Sequence, residues 1–86
     1  MLEVIKNIYD FGEHQPKRLA LVFDHQRITY DELIHEIDKA SSQYSMINEG
    51  EKVGLLSNHP IKNLIHYFAI HRVGGIPCFF SSKWNK

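Results

Sequence analysis

Apolar residues recur along this chain in two rhythms, and the points where one gives way to the other mark out its elements. Val4, Ile5, Ile8 and Tyr9 fall at helical spacing, which predicts a short amphipathic helix over residues 2 to about 11, stopped near Gly12. Glu13-His14-Gln15 and Pro16 then form a connector. Leu19-Ala20-Leu21-Val22-Phe23 and Arg27-Ile28-Thr29-Tyr30 are two extended runs separated by Asp24-His25-Gln26. That is the pattern of a β-hairpin, although no glycine stands in its turn.

From Thr29 the period changes. Tyr30, Leu33, Ile34, Ile37, Ala40, Tyr44 and Ile47 fall three and four apart, lining one face of a helix over about residues 30 to 47, with Gly50 as its stop. Asp31, Glu32, Glu36, Asp38 and Lys39 occupy the other positions, as a solvated face requires. Lys52 to Ser57 reads as a short apolar strand, and Asn58-His59-Pro60 as a helix start, with proline suited to the first turn. Ile61, Leu64, Ile65, Phe68, Ala69 and Val73 give a further amphipathic helix, ended by Gly74-Gly75 and followed by the apolar run Ile76 to Phe80. Strand, helix and strand with short connections imply parallel strands joined by a right-handed crossover. The predicted fold class is therefore α/β: an N-terminal helix, a β-hairpin, then a helix and a βαβ unit, with a mixed sheet of about four strands and three helices. Parallel strands are normally covered on both faces, and three helices cover little, so more protein is expected to follow.

Length agrees with a single domain over residues 1–86, since dividing 86 residues would leave two cores too small to stand. A chain of this size buries only about 60% of the surface it exposes when unfolded, so its core is thin. The apolar share of 43% and charged share of 23% are those of a globular protein. Ten basic residues balance ten acidic ones, and no basic block appears, which argues against nucleic acid or an anionic membrane as partner. Neither long helix has the strongly basic face of a membrane-surface protein. Apolar runs stop at about five residues against the roughly 18 needed to span a bilayer. The first residues lack the basic flank and cleavage site of a signal peptide, so the expected compartment is the cytoplasm. Cys78 stands alone, which excludes an internal disulfide and reads as a buried, inert thiol.

Candidate chemistry is sparse. His66 and His71 are five apart and so point to different sides of a helix, while His14, His25 and His59 fall in connectors; a zinc site is not indicated. Ser41, Ser42, Ser45, Ser57, Ser81 and Ser82 lack any nucleophile-elbow pattern. Gly74-Gly75 follows a helix, whereas phosphate loops open one. Arg27-Ile28-Thr29-Tyr30-Asp31-Glu32-Leu33 gathers a hydroxyl, a phenol and two carboxylates. Asp31 and Glu32 nevertheless lie about 100° apart on a helix and cannot act as an acid and base pair. Thr29 and Glu32 have the spacing of a capping box, and both carboxylates sit where the helix dipole favours them. No catalytic, cofactor-binding or metal-binding residue is assigned.

The order of these motifs resembles the adenylate-forming (AMP-binding) enzymes, which include acyl-CoA synthetases, luciferases and peptide-synthetase adenylation domains. Ile28-Thr29-Tyr30-Asp31-Glu32-Leu33 resembles their first core motif, Lys52-Val53-Gly54-Leu55-Leu56-Ser57-Asn58 the strand that follows, and Phe68-Ala69 a pair in the next helix. Arg72-Val73-Gly74-Gly75-Ile76 resembles the second core motif, and the match runs from about residue 16 to 81. One departure is that Pro77 and Phe79 stand where the family usually has an aromatic residue and then proline. The resemblance implies the N-terminal piece of a longer acyl-CoA synthetase-like enzyme, whose full-length parent would use ATP, Mg and coenzyme A to activate a fatty or other carboxylic acid. It implies no cofactor bound by the fragment itself, which would be an inactive scaffold with the remainder of the parent as its partner. The alternative is a free-standing α/β protein-interaction module. Self-association through the aromatic C-terminal surface of Phe79, Phe80 and Trp84 would fit either.

Overall fold

Thr29 ends one element and begins the next, and the architecture is organised around that point. A computed structural model of the chain describes residues 3–55 and 59–79. The elements are α1 (Glu3–His14), β1 (Leu19–Phe23), β2 (Gln26–Thr29), α2 (Tyr30–Ser41), a 3₁₀ turn (Ser42–Tyr44), β3 (Lys52–Leu55), α3 (Pro60–Arg72) and β4 (Ile76–Phe79). Helices and strands alternate as an α/β chain should. The four strands form two pairs: β1 runs antiparallel to β2, and β3 parallel to β4. Phe80 and Trp84, the side chain of Phe79, and Ser57, Asn58, Ser81 and Ser82 lie outside the described residues, and with them the expected C-terminal aromatic surface.

Three boundaries differ from the sequence reading, each for a local reason. First, α1 continues through Gly12 to His14. Gly12 is buried, and a Cβ there would stand 2.3 Å from Ile34 Cδ1, so this glycine admits α2 at close range and does not stop its own helix. Second, the hairpin turn is two residues long, with Gln26 already paired to Phe23. Asp24 takes the left-handed position at φ 56°, which aspartate tolerates better than most side chains. Third, α2 stops at Ser41 and tightens into the 3₁₀ turn. There Ser41 Oγ donates to the Ile37 carbonyl (2.7 Å) and Ser42 Oγ to the Lys39 carbonyl (2.7 Å), and such hydroxyls compete with the helical ladder.

The β3–β4 pair is set by two left-handed glycines, Gly50 (φ 82°) and Gly74 (φ 90°). The Gly50 N–H donates to the Gly74 carbonyl at 2.8 Å, and the Ile76 N–H to the Glu51 carbonyl at 2.8 Å. Gly50 therefore shapes the entry to β3 and not the end of α2.

The core lies between the helices. Ile5 of α1, Leu33, Ile37 and Ala40 of α2, and Ile61, Ile65, Phe68 and Ala69 of α3 form a buried cluster, with Leu21 and Ile28 of the hairpin leaning against it. The result is a slab of 43 × 31 × 20 Å with a radius of gyration of 13.5 Å, against about 12 Å for a globule of this length.

Candidate functional site

The polar cluster at the head of α2 is fully engaged in starting that helix. Thr29 donates its N–H to Glu32 Oε1 at 2.9 Å, and the Glu32 N–H reaches back to Thr29 Oγ1 at 3.5 Å, so the capping box is present with one short and one long arm. Asp31 supplements the long arm, its Oδ1 accepting from the same Glu32 N–H at 2.9 Å and from the Thr29 hydroxyl. The preceding amides are occupied too: Tyr30 N–H donates to the Arg18 carbonyl (2.9 Å) and Asp31 N–H to the Pro16 carbonyl (3.0 Å). These are the donors a helix start would otherwise offer to an anion. Lys17 Nζ donates to Asp31 Oδ2 at 2.9 Å. That ammonium, aided by the Thr29 hydroxyl, holds the Asp31 carboxyl down at about 2. Glu32 is likewise lowered, chiefly by the Thr29 N–H.

Two polar constellations were not anticipated. Tyr9 of α1 donates to Asp38 Oδ1 of α2 at 2.7 Å, and Arg72 Nη1 of α3 donates to the same oxygen at 2.5 Å and to Ser41 Oγ at 3.4 Å. The Arg72 guanidinium lies 5.5 Å from the Tyr9 ring centre, within cation–π range. Burial, then the Asp38 carboxylate, pushes the Tyr9 phenol up to about 12, against the opposing pull of Arg72. One oxygen of Asp38 thus ties three helices together. Arg72 is the basic residue of the second core motif, but nothing local in the sequence links it to Tyr9 or Asp38.

The second is the Tyr44 hydroxyl, 2.6 Å from His66 Nδ1, with the rings edge to face. Burial and the neighbouring Lys62 lower His66, which favours the neutral imidazole as acceptor of the Tyr44 proton.

Other candidates are dispersed. His59 caps α3, its ring accepting from the Lys62 N–H at 3.3 Å; His71 packs edge-on against Tyr67; His14 contacts the Asp10 carbonyl; His25 sits exposed in the hairpin turn. Among the described residues no group of three or more His, Cys, Asp or Glu is placed to hold a metal. Cys78 is half-buried, not fully buried as expected. No helix among the described residues is long and apolar enough to cross a membrane.

An open groove of about 360 Å³ lies between β2, α2 and α3. Ile28, Ala40, Ile61 and Ile65 line its floor, while Glu36, Lys39 and Lys62 are its charged lining residues.

Solved structures share this arrangement. The N-terminal subdomain of Klebsiella oxytoca NpsA superposes with a TM-score of 0.80 over 92% of this chain and 21% of its own, at 23% identity. O-succinylbenzoate coenzyme A synthetase (MenE) from Bacillus subtilis, in complex with AMP, does so with a TM-score of 0.77 over 88% of this chain and 20% of its own, at 18% identity. The fold is thus one that both of these proteins contain. No protein-family model matches the chain, but curated relatives do along its whole length. A Staphylococcus epidermidis protein carrying the provisional name long chain fatty acid-CoA ligase VraA is 44% identical over 85 residues, 99% of this chain. The protein of the same name from Staphylococcus haemolyticus is 33% identical over 86 residues. Along nearly its whole length the chain is thus similar to proteins named as long chain fatty acid-CoA ligases, and it shares its fold with NpsA and MenE. It spans only 19% of the length of either relative.

Proposed function

We propose that this chain is one folding unit, the N-terminal scaffold of an ATP-dependent acid–thiol ligase. The parent would form an acyl-adenylate from a fatty or other carboxylic acid and pass the acyl group to coenzyme A in the cytoplasm. The observation that carries this is the 44% identity to the S. epidermidis relative along 85 residues that make up 19% of its length. Among the described residues, those at the head of α2 do not fit an ATP phosphate or magnesium site. The carboxylates of Asp31 and Glu32 are held by Thr29 and Lys17, and the first amides of α2 by Arg18, Pro16 and Thr29. The chemistry is accordingly assigned to the rest of the parent, and the isolated chain is inactive.

The experiment is ATP–pyrophosphate exchange with a panel of fatty acids. The 86 residues alone give no exchange; measurable exchange would refute their inactivity. A chimera in which they replace the matching segment of the S. epidermidis relative retains exchange within roughly tenfold of that relative, a barrier change of about 1.4 kcal/mol. A dead chimera beside an active relative would sink the scaffold reading.

A further inference from the structure

Strand β1 is apolar at every position, Leu19-Ala20-Leu21-Val22-Phe23. An antiparallel strand with one face in water alternates apolar and polar residues, and a continuous apolar run belongs to a strand covered on both sides. Here Val22 is 59% and Phe23 45% exposed. Phe23 pairs with Gln26 in the hairpin, and its ring centre lies 6.4 Å from that of His59; both of those neighbours line the groove between β2, α2 and α3. Phe23 therefore stands at the mouth of that groove. The floor residues Ile61 and Ile65 belong to the core cluster, so the core reaches the groove. Its charged lining residues are Glu36, Lys39 and Lys62; neither lysine is in an ion pair among the described residues, and the balance is positive.

We infer that this groove, with Phe23 at its mouth, seats a segment of the parent enzyme that is apolar on its inner face and acidic at its edge. This rests on the scaffold reading. The occupant follows from proportion and charge: the chain is about a fifth of its relatives' length, so most of the parent remains to be packed against it, and two lysines against the single carboxylate of Glu36 favour a partner with an acidic edge. A parent segment laid in the groove covers the outer side of Ile28, Ile61 and Ile65 and removes Phe23 from water.

The test is thiol accessibility in the chimera with the S. epidermidis relative, made otherwise cysteine-free. A maleimide labels Met46→Cys, at a site 91% exposed, rapidly, and Phe23→Cys roughly tenfold more slowly, as for a site that opens only transiently. Gln26→Cys, which leaves the apolar contact intact, shows the same protection. Equal labelling at positions 23, 26 and 46 in a chimera that retains exchange activity overturns the docking site and leaves the scaffold reading standing. A chimera that neither folds nor turns over, beside an active relative, overturns both. Protection that appears in the 86-residue chain alone and grows with its concentration assigns the groove to a second copy, and also overturns the proposal.

Discussion

Tyr9 illustrates how much a single side chain can owe to residues far along the chain. Its hydroxyl is neutral and donates to Asp38, and half-burial plus that carboxylate raise it from 10 to about 12. A folded-state value above the unfolded one means that the proton is held more tightly in the folded chain. The stability it contributes is complete below about pH 10 and is lost as pH rises through 12. In an ultraviolet titration of the folded protein Tyr9 should ionise late, in a phase separable by Tyr44→Phe from that of Tyr44, which burial also raises. Asp38→Ala should bring Tyr9 part of the way back, since burial, the largest cause, remains. A full return to 10 would count against burial as the main cause, and no change would count against the carboxylate. This interaction was illegible in the sequence because its partners lie 29 residues apart, with no local periodicity linking them.

Elements were more legible where their signals are local. The start of α2 could be read from Thr29 and Glu32 alone, because a capping box is defined by a spacing of three. What spacing did not reveal is that Asp31 shares the work, accepting from the Glu32 N–H at 2.9 Å while Thr29 Oγ1 stands at 3.5 Å. Thr29→Ala should therefore cost about 0.5–1 kcal/mol, toward the lower end for N-caps. The double change with Asp31→Ala should cost more than the sum of the two single ones, since each acceptor substitutes for the other. Thermal melts of the four proteins check this, and strict additivity would show that the acceptors act independently. The end of α1 was misread for a different reason. Gly12 has the appearance of a stop, but its role depends on Ile34 across the helix interface. Likewise the turn at Asp24 needed a left-handed residue that composition did not advertise.

At the scale of the whole molecule, the thin core and the flat 43 × 31 × 20 Å shape agree with a part built to be covered by more protein. The order of helices and strands was readable because each amphipathic face is written in consecutive residues. The division into two strand pairs was not, since pairing depends on which chain segments lie alongside, including those of the parent. The Tyr9–Asp38–Arg72 junction also bears on how the molecule assembles over time. Its bonds close loops of 29 and 34 residues, whereas the hairpin and the helices form from near neighbours, and long loops close late. Removing the junction should thus leave the folding limb of a chevron almost unmoved and steepen the escape from the native state. Arg72→Met, which keeps much of the stem, should speed unfolding while changing the refolding rate little. Stopped-flow measurements that found refolding slowed instead would place the junction in the nucleus. As it stands, the arginine of the second core motif acts as a latch on the finished fold, governing how long the native state lasts once it has formed.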